Sequence, residues 1–341
     1  MSSIPQVSII IPVYNKEKYL KNTLDIIKNQ SFESFEVIVV DDGSSDNSSK
    51  ILEDYRQIKN FTIVTQPNMG VSVARNNGLQ IAKGNWIWFI DADDNPNIDF
   101  LCDNKEIIYA ENYDIVFAPF MKTDSNNQSQ LVCVNEKGKI QSEDLPATFI
   151  KHQYTNGFFG YLWCKLIRRS FIIDNQVVFE EGLTLAEDLK FMVALYKCNP
   201  RCYFTDSIAT KYNSQSDNSS ALKEIDYKAQ LRIQYEIYEW IKETNNPEYI
   251  NKIQDRICGY IAYIFIDAFE QKGNLENEIN WLNGLKEYKQ LLSYERLRGR
   301  EKKIIKLLKA QKHEKLYRYF KIRLTVRRLY RGVINNEICF V

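Results

Sequence analysis

The sequence predicts an α/β protein with a mostly parallel central sheet, followed by a C-terminal α-helical region. Three observations predict it. Short continuous β-branched runs alternate with segments of helical spacing over the first 120 residues. Polar clusters follow three of those runs, and ligands of a parallel sheet gather at the carboxyl ends of its strands. Beyond Ala221 glycine and proline are sparse, and the periodicity stays helical to near the end.

The elements follow in order. VSIIIPV (7–13) is a buried parallel strand by its unbroken apolar character. Residues 16–29 have helical spacing through Leu20, Leu24 and Ile27. EVIVV (36–40) is a second strand, ending in DDGSSDNSS, which supplies a turn and several N-caps for a short helix over 49–58. FTIVT (61–65) is a third strand. A helix over 71–82 follows, with Gly84 as its expected C-cap. NWIWFI (85–90) runs straight into DADD, then a helix over 98–111 and a fifth strand over 113–120. Further on, QLVCV reads as a strand, 142–152 as helical, 161–173 as mixed, 186–197 as a helix, and RCYFTD and ATKYNS as short strands.

At about 150 residues per domain, 341 residues suggest roughly two. The polar break SQSDNSS divides them into a domain over 1–218 and a helical domain over 219–341. A composition of 44% hydrophobic and 26% charged residues excludes disorder and low-complexity fibres. No apolar run reaches the roughly 18 residues of a spanning helix; the best stretch, 257–269, is interrupted by Gly259 and Asp267. The N-terminus has no basic region ahead of its apolar run, so no signal peptide is expected and a cytoplasmic location is the default. Seven cysteines without a C-x-x-C pair, and two histidines, argue for reduced buried thiols over structural zinc.

Net charge is +1, but residues 296–331 hold 15 Lys/Arg against 2 Glu. The rest of the chain is acidic. This basic tail carries Ile305, Leu308, Leu316, Tyr319, Val326 and Tyr330 at near-helical spacing. Such a segment suits an anionic membrane surface, or packs on the body through its apolar stripe; a nucleic-acid tail ranks below both.

Five clusters carry candidate chemistry. In DADD, Asp91, Asp93 and Asp94 crowd the end of a very apolar strand. Their mutual repulsion is relieved by a cation, and carboxylates without nearby His or Cys favour Mg²⁺ or Mn²⁺; a solvated acidic turn is the alternative. In DDGSSD, turn and cap account for Gly43, Ser45 and Asp46, while Asp41 and Asp42 can accept hydrogen bonds from a base or a ribose. In PVYN, Pro12 ends the strand and Tyr14 offers an aromatic face to a nucleobase. Arg75, in a helix otherwise short of charge, suits a phosphate or a salt bridge. In LAEDL, Glu187 and Asp188 open a helix, as caps or as a general base for an incoming hydroxyl.

Taken together, VSIIIPVYNKEKYLKNTLDIIKNQSF, EVIVVDDGSSDNS, NMGVSVARNNGL, GNWIWFIDADD, LWCKLIRRSF and AEDLKF resemble a family-2 glycosyltransferase of the GT-A fold, the inverting, bacterial surface-polysaccharide type. The resemblance spans about residues 5–215, with the motifs in the family's order. It implies a nucleotide-sugar donor, most often a UDP-sugar, and an oligosaccharide or lipid-linked glycan acceptor, at the inner face of a membrane. Pro12, Tyr14, Asn15 and Asp41 or Asp42 would hold base and ribose, and Arg75 would approach the nucleotide. Asp91 and Asp93 match the D-x-D motif, Asp93 as the main ligand of Mn²⁺ or Mg²⁺ and Asp91 nearer the ribose. Asp188 matches the general base; Glu187, Trp163 and Lys165 would serve the acceptor, Trp163 as a stacking platform. The chain departs from the pattern at Ser214, Asp217 and Asn218, where family members place Arg or His over the diphosphate.

Two other classes compete. A phosphotransferase could use Asp91 as a nucleophile, but leaves DDGS and Tyr14 unexplained. A nucleotide-binding module without catalysis is the second. A dinucleotide-dependent dehydrogenase is argued against by the lack of G-x-G-x-x-G after a strand.

Overall fold

The computed structural model describes residues 4–110, 112–123, 128–213, 225–272 and 275–323. It divides into two compact units, 1–224 and 225–341; the boundary expected at 218/219 lies outside the described residues.

The first unit opens with β1 (Val7–Val13), α1 (Leu20–Lys28), β2 (Phe35–Asp41), α2 (Ser48–Glu53), β3 (Phe61–Thr65), α3 (Val71–Ile81) and β4 (Trp86–Phe89). Next come β5 (Asn95–Pro96), α4 (Phe100–Asp103), α5 (Lys105–Ala110), β6 (Ile115–Phe117), β7 (Phe120–Thr123), β8 (Ser129–Val132) and β9 (Gly138–Ile140). The unit continues through α6 (Leu145–Asn156), β10 (Lys165–Arg168), α7 (Arg169–Asp174), α8 (Glu187–Tyr196), β11 (Cys202–Phe204) and β12 (Thr210–Asn213).

The large sheet has the order β3-β2-β1-β4-β10-β6-β11-β9, and β3, β2, β1 and β4 are mutually parallel. Every residue of β1 and β4 is buried, as expected of strands covered on both faces. β10 runs antiparallel to both β4 and β6, pairing Ile167 with Ile87 and Lys165 with Phe117. A second sheet, β5-β12-β7-β8, flanks the first.

The departures from the expected elements have local causes. α1 starts at Leu20 rather than at residue 16. The chain before it is held open by Asn15, at φ 53°, and by the Lys16 N–H, which donates to Ser48 Oγ. The helix expected over 98–111 is two short ones separated at Asn104, whose Nδ2 donates to the Phe100 carbonyl. The strand expected over 113–120 is interrupted at Ala118 and Pro119: β6 joins the large sheet and β7 the small one. Gly84 is not the C-cap of α3, since the cap residue is Ala82 in extended geometry. Gly84 is required for a close approach instead: a Cβ there would lie 2.5 Å from the Ser8 backbone nitrogen.

The second unit comprises α9 (Tyr227–Ile241), α10 (Pro247–Lys272), α11 (Glu276–Gly284), α12 (Lys286–Gln290) and α13 (Gly299–Lys309). Asp226 caps α9, accepting from the N–H groups of Lys228 and Ala229. α9 and α13 both pack on α10. Ile305, Leu308 and Leu316 of the basic tail are buried, so their part of the apolar stripe lies in this unit's core, while Val326 and Tyr330 lie outside the described residues. No helix of the described residues is long and apolar enough to cross a membrane.

Candidate functional site

The loops after β1 and β2 meet at the carboxyl edge of the sheet and are stitched together. Asn15 Oδ1 accepts from the N–H of Ser45 (2.8 Å) and Asp46 (3.3 Å), and the Asn15 N–H donates to Ser44 Oγ. Asn47 donates twice to Glu17 Oε2. Above this seam Tyr14 is 46% exposed, an aromatic face at the end of a fully buried strand. Asp41 and Asp42 are both buried. Asp41 accepts from the Ser44 N–H and Ser49 Oγ, and Asp42 from Gln66 Nε2 and the N–H groups of Met69 and Gly70. Asp42 therefore fixes the loop that launches α3.

β4 delivers the acidic turn. The Asp91 N–H donates to Asp94 Oδ2 and the Asp94 N–H to the Asp91 carbonyl, closing the turn on itself. Thr23 of α1 clamps it by donating to the carbonyls of Ala92 and Asp94. Burial pushes the Asp94 carboxyl well above its ordinary value, and the neighbouring Asp91 adds to the rise. Asp93 pairs with Lys16, Nζ to Oδ2 2.5 Å.

Arg75 joins this turn to the other acidic cluster. α3 lies against β1 so closely that a Cβ on Gly78 would meet Ile10 Cγ2 at 2.5 Å, and this seats Arg75 inside the molecule. The residue is 2% exposed. Its Nη2 lies 2.9 Å from Asp91 Oδ1; its Nη1 lies 3.2 Å from Glu187 Oε1 and 2.5 Å from Asp188 Oδ1. The guanidinium carbon sits 5.4 Å over the Phe179 ring. Burial opposes the charge of Arg75, but Asp188, Asp91 and Glu187 outweigh it and keep the group firmly protonated. Arg75 was expected at the nucleotide; its two terminal nitrogens are engaged by three carboxylates.

Glu187 and Asp188 occupy the first turn of α8, directly after Ala186, a non-glycine residue at φ 64°. Burial pushes the Asp188 carboxyl well above its ordinary value; Arg75 pulls it back, and Glu187 and Asp91 push it up again. A carboxylate with a raised pKa and a hydrogen-bonded orienting partner has the properties of a general base.

Trp163 and Lys165, expected beside an acceptor, are inside the core. Trp163 is 3% exposed, stacked on Tyr212 at 5.5 Å and edge-on to Phe120 at 4.4 Å, with its carbonyl accepting from Trp88 Nε1. Lys165 is fully buried; its Nζ donates to the carbonyls of Phe158 and Tyr161, and burial lowers its pKa. Pro12 is a buried residue of β1. Ser214, Asp217 and Asn218 lie outside the described residues.

The donor set fits a hard divalent ion through one or two carboxylates. The Asp93 side chain is 17% exposed and the Asp91 side chain 39% exposed, so both can be reached. Among the described residues no three His, Cys, Asp or Glu converge as a ligand cluster. Mg²⁺ is commonly held by one or two protein carboxylates, with water and substrate phosphates completing the shell. Lys16 is the residue that sequence reasoning missed at this site. Its one signal is position: it follows Tyr14 and Asn15 directly at the strand end.

Residues 8–175 match the family model described as Glycosyl transferase family 2. The uncharacterized glycosyltransferase EpsJ of Bacillus subtilis is 30% identical over 226 residues, covering 66% of this chain and 65% of EpsJ. The poly(ribitol-phosphate) beta-N-acetylglucosaminyltransferase TarS of Staphylococcus aureus is 27% identical over 294 residues, covering 82% of this chain and 48% of TarS. The chain thus spans less than two thirds of the length of these relatives. The crystal structure of S. aureus TarS 1–349 in complex with UDP-GlcNAc superposes with a TM-score of 0.66 at 23% identity, over 96% of this chain and 92% of that one, which establishes the GT-A fold.

Proposed function

Because the chain belongs to glycosyl transferase family 2, we propose that it moves a sugar from a nucleoside-diphosphate donor, a UDP-sugar, to a hydroxyl of a glycan acceptor. The observation that carries this reading is the single guanidinium of Arg75, which holds Asp91 of the D-x-D turn on one nitrogen and Asp188 of the E-D pair on the other. The two acidic clusters are 97 residues apart in sequence and share one cation. A site that must handle a leaving diphosphate and an incoming hydroxyl at one carbon needs that proximity.

The roles follow from the chemistry of each group. Tyr14 stacks the base, and the loop built by Asn15, Asp41 and Asp42 holds base and ribose. Asp93, with Asp91, would hold Mn²⁺ or Mg²⁺. When bound, such an ion supplies positive charge to the departing diphosphate. Asp188 Oδ1 is oriented by Arg75, which leaves Oδ2 to accept the proton of the acceptor hydroxyl. The acceptor oxygen then bonds to the anomeric carbon as the bond to the diphosphate breaks, inverting that centre. Glu187 lines the acceptor side. The UDP-GlcNAc named in the TarS complex supports a UDP-linked donor.

The test is a screen of UDP-sugars with Mn²⁺, read as UDP release, beside a phosphate ester read as phosphate release. UDP release alone is the expected result. Phosphate release without UDP release assigns the Asp91 phosphotransferase reading instead.

A second contact is carried by a different observation. Over 302–323 the buried side of the tail is apolar, and Lys302, Lys303, Lys312, Lys315, Arg318 and Lys321 are exposed on the other side. These cations suit an anionic membrane surface, reached by charge rather than by the stripe.

A further inference from the structure

Lys16 has no part in the roles above, yet it is the group in contact with Asp93. Its backbone position is fixed. The Lys16 N–H donates to Ser48 Oγ at 2.9 Å, and Asn15 before it is locked at φ 53° by the loop after β2. From that anchor the side chain crosses to the acidic turn, 77 positions further along the chain, and its Nζ reaches Asp93 Oδ2 at 2.5 Å. Both side chains are largely shielded, 20% and 17% exposed, so the pair is screened less than a surface ion pair. The neighbouring carboxylates have other partners: Asp91 is bound by Arg75, and Asp94 by the Asp91 N–H.

Resting on the assignment of Asp93 to a divalent ion made above, we infer that Lys16 is a resident counter-cation that competes with that ion for Asp93 and sets how tightly it is held before the donor arrives. Two cations at contact distance from one carboxylate oxygen repel each other, so the ammonium has to leave Oδ2 for an ion to take it. A lysine stem is flexible enough to withdraw while its backbone stays fixed. A donor diphosphate offers the displaced ammonium new oxygens, and by linkage ion and donor then strengthen one another's binding. The pair thereby holds the ion weakly until a nucleotide is present.

The test is a titration of the full chain with Mn²⁺ in the absence of nucleotide, with free Mn²⁺ read by electron paramagnetic resonance. Lys16→Met is expected to bind Mn²⁺ about tenfold more tightly than the wild type, the order expected for removing one shielded charge pair. Lys16→Gln, which keeps a polar side chain in the loop, shifts in the same direction, and Asp93→Asn loses the binding. Unchanged or weaker affinity in both Lys16 variants, with binding still lost in Asp93→Asn, overturns the competition while leaving the metal assignment intact. Mn²⁺ held equally well by Asp93→Asn overturns the metal assignment and this inference together.

Discussion

Arg75 carries one positive charge against three carboxylates, so the centre of the site stays net negative even when its own cation is counted. Burial raises Asp188, and Glu187 and Asp91 add to the rise against the pull of Arg75. The sign of that shift fixes a pH dependence. A base works only when ionised, so with Asp188 in its proposed role activity is lost as pH falls through its pKa. Since burial holds that pKa well above the ordinary carboxylate value, the acid limb of kcat/KM is expected clearly above pH ~4. Replacing Arg75 with Met removes the group that lowers Asp188, so the limb moves to higher pH as the rate falls. A limb at about pH 4 in both proteins contradicts the assignment. None of this pairing was readable in the sequence. Arg75 presents itself there as a phosphate ligand or a surface ion pair, because its partners Glu187 and Asp188 are 112 and 113 residues away. Lys16 was invisible for the same reason, its partner lying on another strand end.

At the scale of elements, the site depends on how closely α3 and the turn before β4 approach β1. At Gly84 a Cβ would meet the backbone of Val7 and Ser8 within 2.7 Å, and backbone cannot swing aside as a side chain can. Gly84→Ala is therefore expected to destabilise the first unit by about 1–3 kcal/mol in denaturant unfolding, the range of overpacking in a tight core. Gly78→Ala, whose obstacle is the Ile10 side chain, costs less. A second buried charge ties β11 to β6: Asp114 accepts from Arg201 Nε, Nη2 and N–H at 2.7–2.9 Å. Despite burial, which raises it, the Arg201 contacts hold the Asp114 carboxyl below its ordinary value. Its contribution is thus complete above pH ~4 and is lost as pH falls through the lowered folded-state value. Asp114→Asn is expected to cost about 1–3 kcal/mol at neutral pH and much less at low pH. An equal cost at both contradicts it. The parallel strands were readable from unbroken apolar runs such as VSIIIPV, because such runs are buried on both faces. The insertion of β10 between β4 and β6 was not, since residue order says little about which antiparallel strand fills a gap in a sheet.

For the whole molecule, chain length and the polar break SQSDNSS suggested two parts, and the family was legible in several modest motifs in one order. The tail shows where sequence periodicity overreaches. Ile305, Leu308 and Leu316 suggested a membrane-facing stripe as readily as a packed one, and they are buried in the second unit. Among the described residues, the exposed side of the tail is mostly cationic. Reversing Lys302, Lys303, Lys312 and Lys315 to Glu is expected to weaken sedimentation with phosphatidylglycerol vesicles at least tenfold, from about 1 kcal/mol per cation near such a surface. Sedimentation with neutral vesicles stays unchanged. Equal sedimentation of both proteins with anionic vesicles removes the membrane contact.

In the proposed site the carboxylate that removes a proton is separate from the groups that hold the nucleotide. Asp188→Asn measures that most directly, by calorimetry with UDP in Mn²⁺ and by UDP release from the UDP-sugar identified in the screen. The prediction is UDP affinity within about twofold of wild type and turnover lower by at least about 10²-fold. Wild-type turnover in that variant, with UDP bound as before, contradicts it.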